Sequence, residues 1–473
     1  MSKEKKLIKN TFIIAIGNMC TKIISFFMLP LYTTLLTTSE YGTVDLISTI
    51  VSLLTAVLTL QFEQGLFRYL IEVREEKNKQ EEYITTSFFT IVSLNVVFSA
   101  ILLPILIAIK YEYAFYLILW TGMTALNYLM LQIPRGIGNN IVYAIGSCIN
   151  GSLNVILNVI FIAILRWGIK GMLLANILSL IVTVIFIFVK LKLWKYIKIN
   201  KYNKECLYKL IKYSLPLIPS NLCWWIVNAS DRLIIQIFIG VSANGIYSIA
   251  SKFPSLFSLV TNIFETSWTE SAAENVNDKD SKKYFNNIMN NSIKFYSSCN
   301  LMIIAVLPIL FNLLIKNDFI KAYNYIPILM LAALFHSIAN LYGGIYTAFK
   351  LTKEVAKTTI LAAIINIVIN VIFINKIGLY AAAISTLVAY LLITIVRHIY
   401  INKKTKIEIS KGFLIIEVLI YVIVLLAYYS RIKILQVIIV ILLLPYCLFQ
   451  NKVIVLSILK TIKSKIKGSH ILK

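Results

Sequence analysis

Apolar residues run through this chain in blocks of about 20, the length an α-helix needs to cross the hydrocarbon core of a bilayer. Blocks of this kind fall near 9–36, 42–66, 83–109, 113–134, 141–165, 170–190, 210–239, 244–272, 285–314, 323–348, 356–375, 378–397, 412–430 and 434–457. They predict an all-α polytopic membrane protein of about 14 helices. The connections are short, the longest lying near 191–209, and leave no room for a soluble domain.

The pattern also repeats. The segment 154–162 (NVILNVIFI) matches 366–374 (NIVINVIFI), and each is followed by a Gly-containing turn and another apolar helix, from Gly168 and Gly378. Earlier in each half, SEYGTVDLIST at 39–49 parallels SANGIYSIASK at 242–252, and Phe-Glu at 62–63 parallels Phe-Glu at 264–265. Three matches in the same order at similar offsets predict two parallel six-helix bundles, with two further helices at the C-terminal end. The expected division is a first bundle at 1–192, a basic cytoplasmic linker at 193–209, a second bundle at 210–402, and the last two helices with a basic tail at 403–473.

Polar residues inside the apolar blocks narrow the search for a site. In the block at 210–239, Ser214, Asn221, Asn228 and Arg232 recur at helical spacing, so they form one stripe, and Asp231 sits beside it. In the first block Thr11, Asn18, Lys22 and Ser25 form a similar stripe. Gln61, Gln64 and Arg68 share a face in the second, with Glu63 on its flank. Ser248, Lys252, Ser255, Asn262, Glu265 and Thr269 fall close to one line in the eighth. A charged side chain at a bilayer centre costs roughly 3 kcal/mol, so such residues face protein or water rather than lipid. The cations Lys22, Arg68, Arg232 and Lys252 are staggered in expected depth, which suits an anionic headgroup in transit. The polar residues Asn18, Gln64, Asn221, Asn228 and Asn262 would line the same path. The competing reading makes these charges buried pairs that hold the halves together, Lys22 with Glu63 and Arg232 with Asp231 or Glu265. Glu63, Asp231 and Glu265 are candidates for coupling to a proton or sodium gradient, or simply counter-charges. Trp224, Trp225 and Trp268 read as interfacial packing, with contact to sugar rings as the alternative.

Composition agrees with a membrane chain. The 473 residues are 59% hydrophobic and 14% charged, with a mean hydropathy of +0.81. The formal net charge of +25 is divided among loops rather than gathered in one patch, so it sets topology and argues against nucleic acid. Lys and Arg collect in the loops on one side, which places both termini in the cytoplasm. The six cysteines are scattered without CxxC spacing, and the three histidines have no paired ligands, so neither a metal site nor a cofactor is expected. No nucleophile with a base and no phosphate loop after a strand is present, so the chain does not read as an enzyme.

Residues 9–46 (KNTFIIAIGNMCTKIISFFMLPLYTTLLTTSEYGTVDL) resemble the opening of bacterial polysaccharide flippases of the Wzx type, with a polar-interrupted first helix, Pro-Leu-Tyr and a Tyr-Gly turn. Residues 213–235 (YSLPLIPSNLCWWIVNASDRLII) are similar to the seventh helix of that family, with Pro-x-x-Pro and an Asp-Arg pair. LYGGIYTAFKLTKE at 341–354 and NVIFINKIGLYAAAIST at 370–386 resemble its later signatures. The resemblance implies the superfamily that also holds MATE exporters and the lipid II flippase. It implies two six-helix bundles around a central cavity lined by cations, onto which Arg68, Arg232 and Lys22 map, with Lys252 added from its place on the eighth block. It further implies movement of undecaprenyl-diphosphate-linked oligosaccharide from the cytoplasmic to the outer leaflet by alternating access, in the bacterial cytoplasmic membrane. Polysaccharide polymerases and assembly proteins are the candidate protein partners. A lipid II flippase and a MATE-type drug/cation antiporter are the alternatives.

Overall fold

A computed structural model describes residues 26–452 and Leu456, without the side chains of residues 220, 223, 224, 227, 228 and 352. The candidate residues Asn18 and Lys22 lie outside the described residues, as does the side chain of Asn228. Every regular element among the described residues is helical. Eleven of the helices are long and apolar enough to cross a membrane. The chain is a multi-pass, all-α membrane protein.

The chain forms two compact units. The first runs to Ile249 and includes Lys316–Phe319. It holds α1 (Leu29–Leu35), α2 (Thr38–Leu58), α3 (Phe62–Glu72), α4 (Lys77–Ala108), α5 (Ala114–Gly136), α6 (Asn140–Asn158), α7 (Gly168–Lys190), α8 (Lys204–Ser214) and α9 (Ile218–Phe238). The first turns of α10 (Val241–Asn275) also belong to it. The second unit holds the rest of α10, then α11 (Ser281–Leu314), α12 (Ile326–Ala348), α13 (Thr352–Ile377), α14 (Leu379–Asn402), α15 (Lys411–Ser430) and α16 (Lys433–Gln450).

Three local expectations need correction. The Tyr-Gly pair at 41–42 is inside a helix, not a turn. Helix α2 starts at Thr38 because Thr37 and Glu40 form a capping box: the Glu40 amide donates to the Thr37 hydroxyl at 3.2 Å, and the Thr37 amide donates to the Glu40 carboxylate at 2.8 Å. Gly42 sits where α2 crosses the start of α10. A Cβ there would overlap the Val241 carbonyl oxygen, and one on Gly245 would overlap the Thr38 carbonyl oxygen, so the backbones touch only because both residues lack side chains.

The span expected at 42–66 is two helices. Leu60 and Gln61 both take left-handed backbone conformations (φ 48° and 58°), which end α2 and re-aim the chain into α3. Neither is Gly, and side chains resist this conformation. The break is held by the Gln61 amide donating to Thr59 Oγ1 at 3.3 Å. The block at 210–239 is likewise divided, into α8 and α9, by a 3₁₀ turn at Leu215–Leu217. Pro216 and Pro219 lack the amide hydrogens a continuous α-helix would use. Helices α9 and α10 are not among the eleven apolar spans, because polar positions interrupt their apolar runs.

Two apolar clusters in the first unit hold its helices together. One joins Leu58, Phe62, Leu66 and Leu70 to Leu129, Ile133 and Ile187. The other joins Val44, Ile47 and Val51 to Leu117, Trp120, Leu173 and Ile177. Residues 193–209 are anchored as well: Leu193 and Cys206 are buried in the first cluster. Tyr196 O accepts from Thr85 Oγ1 at 2.9 Å, and Asn203 Nδ2 donates to Glu82 at 2.8 Å. Burial pushes the Cys206 thiol up to about 11, so it stays neutral and packs as an apolar group.

In the second unit α12, α13 and α14 pack closely through Ala339, Ala362, Ala389 and Ile393, all buried. The last two helices are tied on by a carboxylate: Glu417 accepts from Ser297 Oγ at 2.8 Å and from Tyr446 Oη at 3.0 Å.

Candidate functional site

The charged groups of the first unit separate into two kinds. The first is a buried cluster where α2, α9 and the start of α10 meet. Arg232 Nε donates to Asp45 Oδ2 at 2.8 Å, and the two side chains keep only 21% and 15% of their exposure. Ser248 Oγ donates to Asp45 Oδ1 at 2.6 Å, and Asn244 Nδ2 donates to the Gly42 carbonyl at 3.0 Å. Asp231, next along α9, is buried and accepts from Tyr247 Oη at 2.8 Å. The sequence offers Asp231 or Glu265 as the carboxylate for Arg232; the ion pair found is with Asp45. Both charges are taken out of water here, so the pair holds only because hydrogen bonds occupy the rest of the carboxylate.

The second kind is exposed. Helix α3 buries Phe62, Glu63, Gly65, Leu66 and Leu70, while Gln64, Arg68 and Glu72 stand on its open face at intervals of one helical turn. Arg68 Nη2 pairs with Glu72 Oε1 at 2.9 Å, with the side chains 50% and 47% exposed. Such an exposed pair contributes about 0–1 kcal/mol. Asn221 bridges the two regions: its Nδ2 donates to Gln61 Oε1 at 2.8 Å. Arg232 lies eleven residues further along α9, about 16 Å at the helical rise. The structure thus brings Arg232 to Asp45 and Asn221 to Gln61, and keeps Arg68 apart from both.

Lys252 lies half-buried on α10, and Asn262 is exposed on the same helix. Glu265, one turn beyond, accepts from Asn340 Nδ2 of α12 at 3.0 Å, and Thr261 and Ser337 hydroxyls meet at 2.9 Å beside it. Glu63 in the first unit and Glu265 in the second each have one carboxylate oxygen without a hydrogen-bond partner among the described residues. Trp268 is structural: it is buried and donates to the Leu341 carbonyl at 2.8 Å.

One feature of the first unit was not foreseen from the sequence. A cavity of about 430 Å³ opens among α2, α5, α6 and α7. Its α6 wall is Tyr143, Ser147, Asn150 and Asn154, a stripe at spacings of four, three and four that is readable in the sequence. Ser48 and Ser52 of α2 face it, as do Thr124, Asn127 and Tyr128 of α5 and Asn176 and Ser179 of α7. Trp225 Nε1 donates to Ser52 Oγ at 2.8 Å, so Trp225 braces the α2 wall. Asp45 was also missed as a site residue, because with a turn placed at Tyr41–Gly42 it falls near a helix end rather than inside one.

The repeat is visible in the hydrogen bonds. Asn154 Nδ2 of α6 donates to Asn176 Oδ1 of α7 at 3.0 Å. In the second half Asn366 Nδ2 of α13 donates to Thr386 Oγ1 of α14 at 3.2 Å, the same pair of positions.

Comparisons with known proteins agree with this architecture. The chain is similar in fold to an inward-facing multidrug resistance MATE family transporter of the MOP superfamily: the TM-score is 0.68 at 16% identity, covering 82% of this chain and 98% of that one. The outward-facing conformation of a MATE family transporter of that superfamily gives 0.58 at 16% identity, covering 85% and 95%. A MOP superfamily transporter from Pyrococcus furiosus, described as having a binding pocket of reverse polarity, gives 0.59 at 16% identity, covering 84% and 95%. No curated protein sequence matches the chain. The family described as "Polysaccharide biosynthesis protein" matches residues 7–269, more than half of the chain. The fold is the one these MATE family and MOP superfamily transporters share. The chain is therefore a member of the polysaccharide biosynthesis protein family, built on the MOP-superfamily transporter fold.

Proposed function

We propose that the protein is a flippase that moves undecaprenyl-diphosphate-linked oligosaccharide repeat units from the cytoplasmic to the outer leaflet of the bacterial cytoplasmic membrane, by alternating access, for surface polysaccharide assembly. The observation that carries this reading is Arg68, a half-exposed guanidinium on the open face of an otherwise buried helix. Its pairing with Glu72 is weak enough for a diphosphate to displace, and a guanidinium binds phosphate oxygens two at a time. Arg68 with Gln64 makes the first contact on the cytoplasmic side. Lys22, Arg232 and Lys252 continue the cation series, with Asn18, Asn221, Asn228 and Asn262 sheltering polar groups along the way. Arg232 releases Asp45 only to a ligand that offers equal charge, which suits a gate better than a resting site.

Glu63 and Glu265 are better placed than Asp231 for proton or sodium coupling, since Tyr247 already serves Asp231. Both termini lie in the cytoplasm, in keeping with the loop lysines. The halves at 1–192 and 210–402 form the moving parts, the basic segment 193–209 joins them, and 403–473 adds the last helices. Polymerases and other assembly proteins receive the product.

The test is a deletion strain complemented with Arg68→Ala or Arg232→Ala, read by mass spectrometry of prenyl-linked intermediates. A complete repeat unit accumulates while the protein is still expressed. Normal polymer in both variants refutes the assignment. Altered drug susceptibility without lipid accumulation selects the drug antiporter, and accumulation of peptidoglycan precursor selects the lipid II flippase.

A further inference from the structure

We infer that the cavity among α2, α5, α6 and α7 is a binding site for a neutral sugar residue of the lipid-linked substrate, with Arg68 and Arg232 outside its walls. The inference rests on the flippase reading and names where specificity for the glycan lies.

The chemistry of the walls carries it. At about 430 Å³ the cavity falls within the range of small-molecule sites, about 300–1,000 Å³. No charged side chain lines it among the described residues. A phosphate would call for Arg or Lys, and an organic cation for a carboxylate. Amides and hydroxyls form the lining instead, groups that both donate and accept, as sugar hydroxyls do. Trp120, packed into the neighbouring apolar cluster, adds a small apolar patch to the wall. One lining atom asks for a partner: Asn127 is 2% exposed, yet its Oδ1 accepts no hydrogen bond among the described residues. A buried amide oxygen left so costs about 1–3 kcal/mol, which a ligand hydroxyl would recover.

The second half supplies a contrast. At an offset of 212 residues, Asn127 and Asn150 correspond to Ala339 and Ala362, and at 210 Ser179 corresponds to Ala389. These three alanines form the closed apolar contact of α12, α13 and α14. The same helices therefore pack without a cavity-lining amide at these positions in one half and around polar groups in the other. The amides of Asn127 and Asn150 are thus not needed to join the helices.

The experiment uses the full chain purified in detergent and two probes. One is sugar-free undecaprenyl diphosphate. The other is the glycosylated prenyl-diphosphate pool extracted from cells deleted for this gene. Native mass spectrometry reads the ratio of the two lipids retained. The wild type should favour the glycosylated lipid, and Asn127→Ala with Asn150→Ala should lower that preference about tenfold while still retaining the bare lipid. Ser147→Ala, a milder change in the same wall, should lower it less and serves if the double variant does not fold. Loss of both lipids in parallel, or an unchanged preference, overturns the inference and leaves a cavity that only holds water. A wild type that binds both lipids equally refutes the sugar site and spares the flippase reading. A wild type that binds neither refutes both.

Discussion

The helix trios α5–α6–α7 and α12–α13–α14 are two versions of one arrangement, and they differ in what fills the middle. Both keep the asparagine that reaches the next helix, Asn154 to Asn176 and Asn366 to Thr386. In the second trio the centre is alanine, and the helices close on one another. The buried Arg397 locks that contact by donating to the Ala339 carbonyl at 2.8 Å and to Thr358 and Thr359 hydroxyls at 3.2 and 3.3 Å. In the first trio the centre is amide and hydroxyl, and space remains. Even the helix differs: α6 ends in a π-helical stretch at Val159–Ile164, whereas α13 runs unbroken to Ile377. A repeat can thus preserve its frame while one copy closes on an apolar contact and the other keeps a polar space.

Exchanging residues between the trios tests this directly. Ala362→Asn puts an amide into the closed alanine contact, where it overpacks and has no built partner. It should cost about 3 kcal/mol, read as a lower unfolding midpoint of the purified chain. Equal stability to wild type would mean that the second trio is as roomy as the first. Arg232→Met removes the charge that balances Asp45, and should cost about 2–3 kcal/mol by the same measurement, with Asp45→Asn in the Arg232→Met background restoring part of it. Failure of that rescue would deny that the pair is what holds α9 to α2. The reverse exchange, Asn150→Ala, should change stability by less than about 1 kcal/mol, because the amide lines open space. Smallest of all, Arg68→Ala should move the midpoint by under about 0.5 kcal/mol while stopping transport. A large stability loss there would make Arg68 structural.

Much of this frame is legible in the chain. Apolar block length places most helices to within a few residues, since a span must satisfy its own backbone and be long enough to cross. The repeat shows in NVILNVIFI and NIVINVIFI because both copies solve the same contact. The break at Leu60–Gln61 is not legible, for it uses neither Gly nor Pro; it is closed locally at Thr59 and braced by the Asn221 side chain of α9. The ion pair of Arg232 is missed for a related reason. Its partner Asp45 is 187 residues away in sequence, and helical spacing speaks only of neighbours on one helix. The polar wall on α6 is present as a spacing, but Ser, Asn and Tyr carry no charge and sit in apolar helices at little cost, so the spacing alone does not mark a site.

The contact at Gly42 and Gly245 has its own implication for how such a duplicated chain can change. The two glycines hold matching places in the repeated segments, and each leaves room for the other strand of main chain rather than for a side chain. A methyl group acquired by either one collides with a main-chain carbonyl one turn before its counterpart, so each position must stay glycine whatever the other becomes. Each codon is held separately, by main chain that no side-chain change opposite can move.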